Sequence, residues 1–148
     1  MKSNSQSALE YMVIIALTLG IIIPTTYVFF NYSRESSIQI LDSQINQIGR
    51  SMIDTAETVY YSGQSSKIVL ELNMPDVVTD MYIIDSRELI FNLTTSIGEN
   101  EAVFFSSINI TSSNCQGQVC LLSEIAGSGI KKIKFEYYNR SQVLISKS

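Results

Sequence analysis

From Met12 to Phe30 the chain runs nineteen residues without a charge. As a helix rising 1.5 Å per residue, that stretch spans about 28 Å, close to the hydrocarbon thickness of a bilayer. The pattern then changes. Ile38, Leu41, Ile45, Ile48, Met52, Ala56 and Val59 recur at spacings of three and four, with Gln, Asp, Ser, Asn and Arg between them, which predicts an amphipathic helix with a narrow apolar stripe. Nothing between Phe30 and Ser62 demands a stop, and Gly63 supplies one. The expectation is one helix of roughly fifty-five residues, about 80 Å long. Pro24 is its flaw: the ring presses on the carbonyl of Gly20 and removes a hydrogen bond, so a kink is expected between Gly20 and Pro24. Thr25 and Thr26 are placed to return hydroxyl hydrogen bonds to carbonyls one turn earlier.

Beyond Gly63 the period becomes two. Ile68, Leu70, Leu72 and Met74 share one face of KIVLELNM, and Leu89, Phe91 and Leu93 share one face of ELIFNLTT. Pro75 and Asp76 separate the first strand from VVTDMYIIDS, and Gly98, Glu99 and Asn100 are read as a break before one strand, AVFFSSINITSS. Ile133, Phe135 and Tyr137 alternate with charged residues, and YNRSQ reads as a turn into VLIS. LLSEIAGSG fits a helical turn or a loop. The sum is an α+β fold: a long N-terminal helix packed on a mainly antiparallel sheet or small sandwich of about six strands. The stripe on the helix calls for either this sheet or a coiled-coil seam with another chain.

Composition narrows the function. A net charge of −4 and ten scattered Lys and Arg give no electrostatic reason to bind nucleic acid. Histidine is absent and there are two cysteines, which removes the commonest general base and leaves too few ligands for a four-ligand zinc site. No catalytic constellation stands out, so an enzyme is not expected. The apolar run is longer than a secretory signal core, and no small-residue cleavage site follows Phe30. A retained helix is expected, with Lys2 on the cytoplasmic side and the C-terminal part outside.

Membrane anchoring alone does not ask for Glu10, a carboxylate at the mouth of the apolar run. QSALEY, set directly against a membrane-length helix, resembles the class III signal region of archaeal type IV pilins. In that family a membrane peptidase cuts just before a Gln, and a Glu lies four residues after it; Gln6 and Glu10 have this spacing, and Glu-Tyr, here Glu10-Tyr11, is common there. The family usually has Gly before the cut and Lys or Arg before that, where this chain has Ser5 and Asn4. The resemblance implies cleavage between Ser5 and Gln6 by a prepilin peptidase. It also implies export through pilus assembly machinery and polymerisation with copies of itself into a helical surface filament that serves adhesion, without a cofactor. Glu10 would then neutralise the new α-amine of a neighbouring subunit. On this reading residues 1–5 are leader, 6–30 the transmembrane and filament-core helix, 31–62 its amphipathic continuation, and 63–148 an extracellular β-rich head. A different class also fits: a single-span membrane protein whose external domain binds a ligand or partner and never polymerises.

Two further features suit an external domain. Cys115 and Cys120 bracket QGQV and fit a local disulfide, the alternative being two buried thiols. Asn-x-Ser/Thr sequons occur at Asn31, Asn92, Asn109 and Asn139. Strand parity puts Asn92 and Asn109 opposite the apolar faces, and Asn139 lies in a turn, so these three are expected to be exposed. Asn31 adjoins the membrane and is set aside.

Overall fold

The computed structural model describes the backbone of residues 3–95, 98–139 and 141–148, and their side chains except at 3–7, 34–38 and 139. Residues Ser3–Ser62 form helix α1. The chain divides into two compact units, Met1–Ile40 and Leu41–Ser148, and each is described by itself.

The first unit is helical, and the helix runs without a break through Pro24. The Thr25 hydroxyl donates to the Ile21 and Ile22 carbonyls at 2.8 and 3.0 Å, and the Thr26 hydroxyl donates to Ile22 O at 2.7 Å. These are the bonds expected of hydroxyls beside a proline that cannot donate its own N–H.

The second unit joins the C-terminal part of α1 to nine strands among the described residues. They are β1 (Lys67–Met74), β2 (Val78–Ile84), β3 (Glu88–Thr95), β4 (Gly98–Phe105), β5 (Asn109–Ser112), β6 (Asn114–Gln116), β7 (Val119–Leu121), β8 (Gly129–Asn139) and β9 (Gln142–Lys147). One sheet has the order β1-β8-β9-β5 and the other β4-β3-β2-β7-β6. All pairings are antiparallel except β5 with β9. AVFFSSINITSS is therefore not one strand. Ala102–Phe105 belongs to β4, at the edge of the second sheet, and Asn109–Ser112 is β5, at the edge of the first. Gly98, Glu99 and Asn100 are strand residues, paired with Thr95, Thr94 and Leu93, and do not form a break. Between β2 and β3, Asp85 and Ser86 both have positive φ, and Arg87 N donates to Ile84 O at 3.1 Å. That is a two-residue hairpin turn whose twist matches its strands. LLSEIAGSG makes a single turn, with Ile125 N donating to Leu122 O at 2.9 Å.

The inner faces of both sheets and the stripe of α1 share one core. Phe91, Leu89 and Met81 of the second sheet, and Phe135, Ile133 and Ile145 of the first, are fully buried with Met52, Ala56 and Val59 of the helix. The intramolecular partner expected for the stripe is the one found. The helix ends where the Gly63 N–H returns to Tyr60 O, and the Ser66 hydroxyl lies 2.6 Å from Val59 O and 2.7 Å from Gly63 O. Those contacts satisfy carbonyls left open at the C-terminus.

Periodicity gave no sign of Gly49. A Cβ at that position would overlap the Phe104 ring, and the ring is backed edge-on by Phe91 at 5.4 Å between centroids. A mid-helix glycine ordinarily costs about 1 kcal/mol relative to alanine. Here the missing methyl lets the helix approach β4, and overpacking such a contact costs typically about 1–3 kcal/mol. Gly49→Ala is therefore expected to lower the thermal midpoint of the detergent-solubilised chain. In a Phe104→Ala background the same substitution should become neutral or stabilising, because only the propensity gain remains; equal effects in both backgrounds would contradict the contact.

Candidate functional site

The largest unsatisfied surface lies on the first unit. Ala8–Ser33 is long and apolar enough to cross a membrane, and none of its most apolar window is buried within the protein. Its large apolar side chains, Leu9 to Tyr32, are between 48% and 73% exposed, and they leave no face of the helix polar. Covering one such side chain fully is worth about 1.5–3 kcal/mol. Over the whole helix the stake is on the order of tens of kcal/mol, and a segment of this length and composition fits a membrane anchor or a signal sequence.

Glu10 sits on this surface, exposed and beside Leu9, Val13 and Ile14. Among the described residues it has no charged partner. The side chains of Ser5 and Gln6 lie outside the described residues; their backbone is part of α1. Gly20 and Pro24 are exposed on the same helix, and a shallow apolar hollow follows the proline, lined by Thr25, Val28, Phe29 and Tyr32.

On the second unit, Cys115 and Cys120 are joined by a disulfide. They stand opposite one another on the short hairpin β6–β7, turned by Gly117 at φ 65°. The sequence shows the pair but not the hairpin, whose three-residue strands are too short to display a period. Asn92 and Asn109 are half-buried, so neither is as open as parity alone implied. The Asn109 side-chain oxygen accepts from Arg87 Nε at 3.3 Å. The side chain of Asn139 lies outside the described residues, and Asn31 is exposed within the apolar span.

An open groove of about 310 Å³ runs between α1 and β1, lined by Gln44, Gln47, Ser51, Glu71 and Asn73 over an apolar floor of Ile48, Leu72 and Pro75. Its amides and hydroxyl have hydrogen-bonding capacity, and the sequence pattern did not single them out. Among the described residues no group of His, Cys, Asp and Glu is arranged to hold a metal ion.

The outer faces of the sheets carry charge. Lys134 Nζ lies 3.0 Å from Glu136, and this contact, helped by Lys67, holds the Glu136 carboxyl below the usual range despite some desolvation. On the other sheet, partial burial together with a 2.9 Å hydrogen bond to Glu101 raises the Tyr82 hydroxyl above its usual value.

Alkylation of the denatured, unreduced chain is expected to leave its mass unchanged, since both thiols are in the bond. Two added alkyl groups would refute the pairing. Comparison with protein-family models, with curated proteins and with solved structures finds no match to this chain.

Proposed function

We propose that the chain is a structural subunit of an archaeal type IV pilus-like surface filament, polymerising through its N-terminal helix and serving adhesion. The observation that carries this reading is an apolar helix exposed on every side, with Gln6 and Glu10 placed at its start as in the class III signal region. A helix of this kind rests in lipid before assembly and among identical helices afterwards, and either setting covers the same side chains.

Cleavage after Ser5 creates an α-amine at Gln6. A carboxylate at Glu10 of a neighbouring copy then meets that amine in a poorly hydrated core, where opposite charges a few ångströms apart attract by about 4 kcal/mol at an effective dielectric near 20. The attraction offsets part of the cost of removing both from water. The compact second unit, with its disulfide and half-exposed sequons, suits an extracellular head. The proposed partners are other copies, a prepilin peptidase and the assembly machinery; catalysis has no part in the role.

The polar groove beside β1 favours a second reading, in which the head binds an external ligand and the helix only anchors it. The two readings separate on Glu10. Under the filament reading, Glu10→Ala leaves the protein expressed and membrane-inserted but abolishes filaments seen by electron microscopy. Filaments at normal yield from that variant would sink the role assigned to Glu10.

A further inference from the structure

The groove between α1 and β1 runs along an open strand edge. The first sheet has the order β1-β8-β9-β5, so β1 has a strand neighbour on one side only. One bond tells which of its backbone groups are left over. The Tyr137 N–H donates to Ser66 O at 3.1 Å, and the register that pairs Lys67 with Glu136 and Ile68 with Phe135 puts Ser66 opposite Tyr137. In an antiparallel ladder, residues bonded to the partner alternate with residues whose N–H and C=O point the other way. Ile68, Leu70, Leu72 and Met74 therefore bond to β8, whereas Lys67, Val69, Glu71 and Asn73 direct their backbone groups to the open edge. Among the described residues nothing bonds to those groups.

Glu71 and Asn73 also line the groove. Across an opening of about 310 Å³ stand Gln44, Gln47 and Ser51 of α1, whose spacings of three and four put them on one helix face. None of these three side chains, nor that of Asn73, has a hydrogen-bond partner among the described residues. The Glu71 carboxylate is held by Lys132 at 3.6 Å, and among the described residues no Lys or Arg lines the groove. An anionic ligand would find no cation there. Two sets of unused groups thus meet in one place. One is a row of main-chain N–H and C=O groups repeating every second residue, about 6.6 Å at 3.3 Å per residue. The other is a row of neutral amides and a hydroxyl.

We propose that this groove takes an extended polypeptide segment of a partner protein, which adds to the first sheet as a strand beside β1. The repeat identifies the ligand. An extended backbone carries its N–H and C=O groups at the same spacing and satisfies the edge of β1 residue by residue, which the scattered hydroxyls of a sugar do not. Every second side chain of the added strand points to the helix, where Gln44, Gln47 and Ser51 favour Ser, Thr, Asn or Gln over a charged residue. Main-chain bonds then supply affinity, and the helix wall supplies sequence preference. This deepens the reading in which the head binds an external ligand, and it rests on that reading.

The test uses the full chain, purified in detergent and immobilised. Phage displaying random heptapeptides are selected on it, and the selected peptides are synthesised for measurement of their dissociation constants. The expected result is peptides with Ser, Thr, Asn or Gln at alternate positions. Methylating alternate backbone nitrogens of such a peptide should weaken binding at least tenfold, while methylating the intervening ones should not. Asn73→Pro removes an edge-facing N–H and spares the ladder with β8, so it too should weaken binding at least tenfold. Asn73→Ala keeps that N–H and should weaken binding less than about threefold. The thermal midpoint of each variant reports its folding, and the methylated peptides read the edge of the unaltered chain in any case. No enriched peptide, methylation that acts equally at every position or at none, or binding unmoved in a folded Asn73→Pro chain would overturn strand addition. A panel of neutral oligosaccharides separates the two failures: a sugar bound where no peptide binds refutes the strand and leaves the ligand reading standing, whereas binding of neither sinks both.

Discussion

An apolar helix with no polar face must be covered at every moment of its existence. Ala8–Ser33 has this property, and its own protein covers none of its most apolar window. The energies at stake, on the order of tens of kcal/mol, exceed the whole stability of an ordinary domain, and the filament reading proposed above covers the helix first with lipid and then with a bundle of like helices. On the filament reading proposed above, features that look odd on an anchor are devices for exchanging one environment for the other. On that reading Glu10, costly in lipid, is useful where an amine arrives to meet it. Pro24 interrupts the backbone bonding of the helix, while Thr25 and Thr26 bond to carbonyls of the preceding turn.

The second unit solves a different problem, that of building a stable head from about a hundred residues. Its helix stripe fills the space between two sheets, with Met52, Ala56 and Val59 wholly enclosed. Gly49 permits the close approach to Phe104 that aligns the helix with β4. The outer face of the second sheet carries carboxylates without lysines, whereas on the outer face of the first sheet Lys67, Lys132 and Lys134 are paired with Glu71 and Glu136.

Much of this was legible in the sequence. The three-four spacing of Ile45, Ile48, Met52, Ala56 and Val59 marked the buried stripe, because a helix shows one face to its partner. The alternation in KIVLELNM and ELIFNLTT marked the inner faces of β1 and β3, although Ile90, placed on the outer side, is buried too by its cross-strand neighbours. The split of AVFFSSINITSS between two sheets was not legible, because alternation reports which face a side chain takes and not which sheet receives it. Gly98 to Asn100 misled for a related reason: turn-forming residues are tolerated at an edge strand when the partner supplies the ladder. The hairpin at Cys115 and Cys120 was too short to have a period. Gly49 was invisible because a glycine's role lies in the atom that approaches it, which here is 55 residues further along the chain. That the second sheet carries carboxylates without lysines likewise emerges only once strand order is known, since no rule of sequence separates acidic β3 and β4 from lysine-rich β8.

The proposal depends most on the bond between Ser5 and Gln6, because without a new amine Glu10 has no partner and the helix no reason to leave lipid. Sequencing the N-terminus of the protein sheared from the cell surface tests it most directly. A chain beginning at Gln6 is the predicted result; a surface protein that begins at Met1 would contradict it.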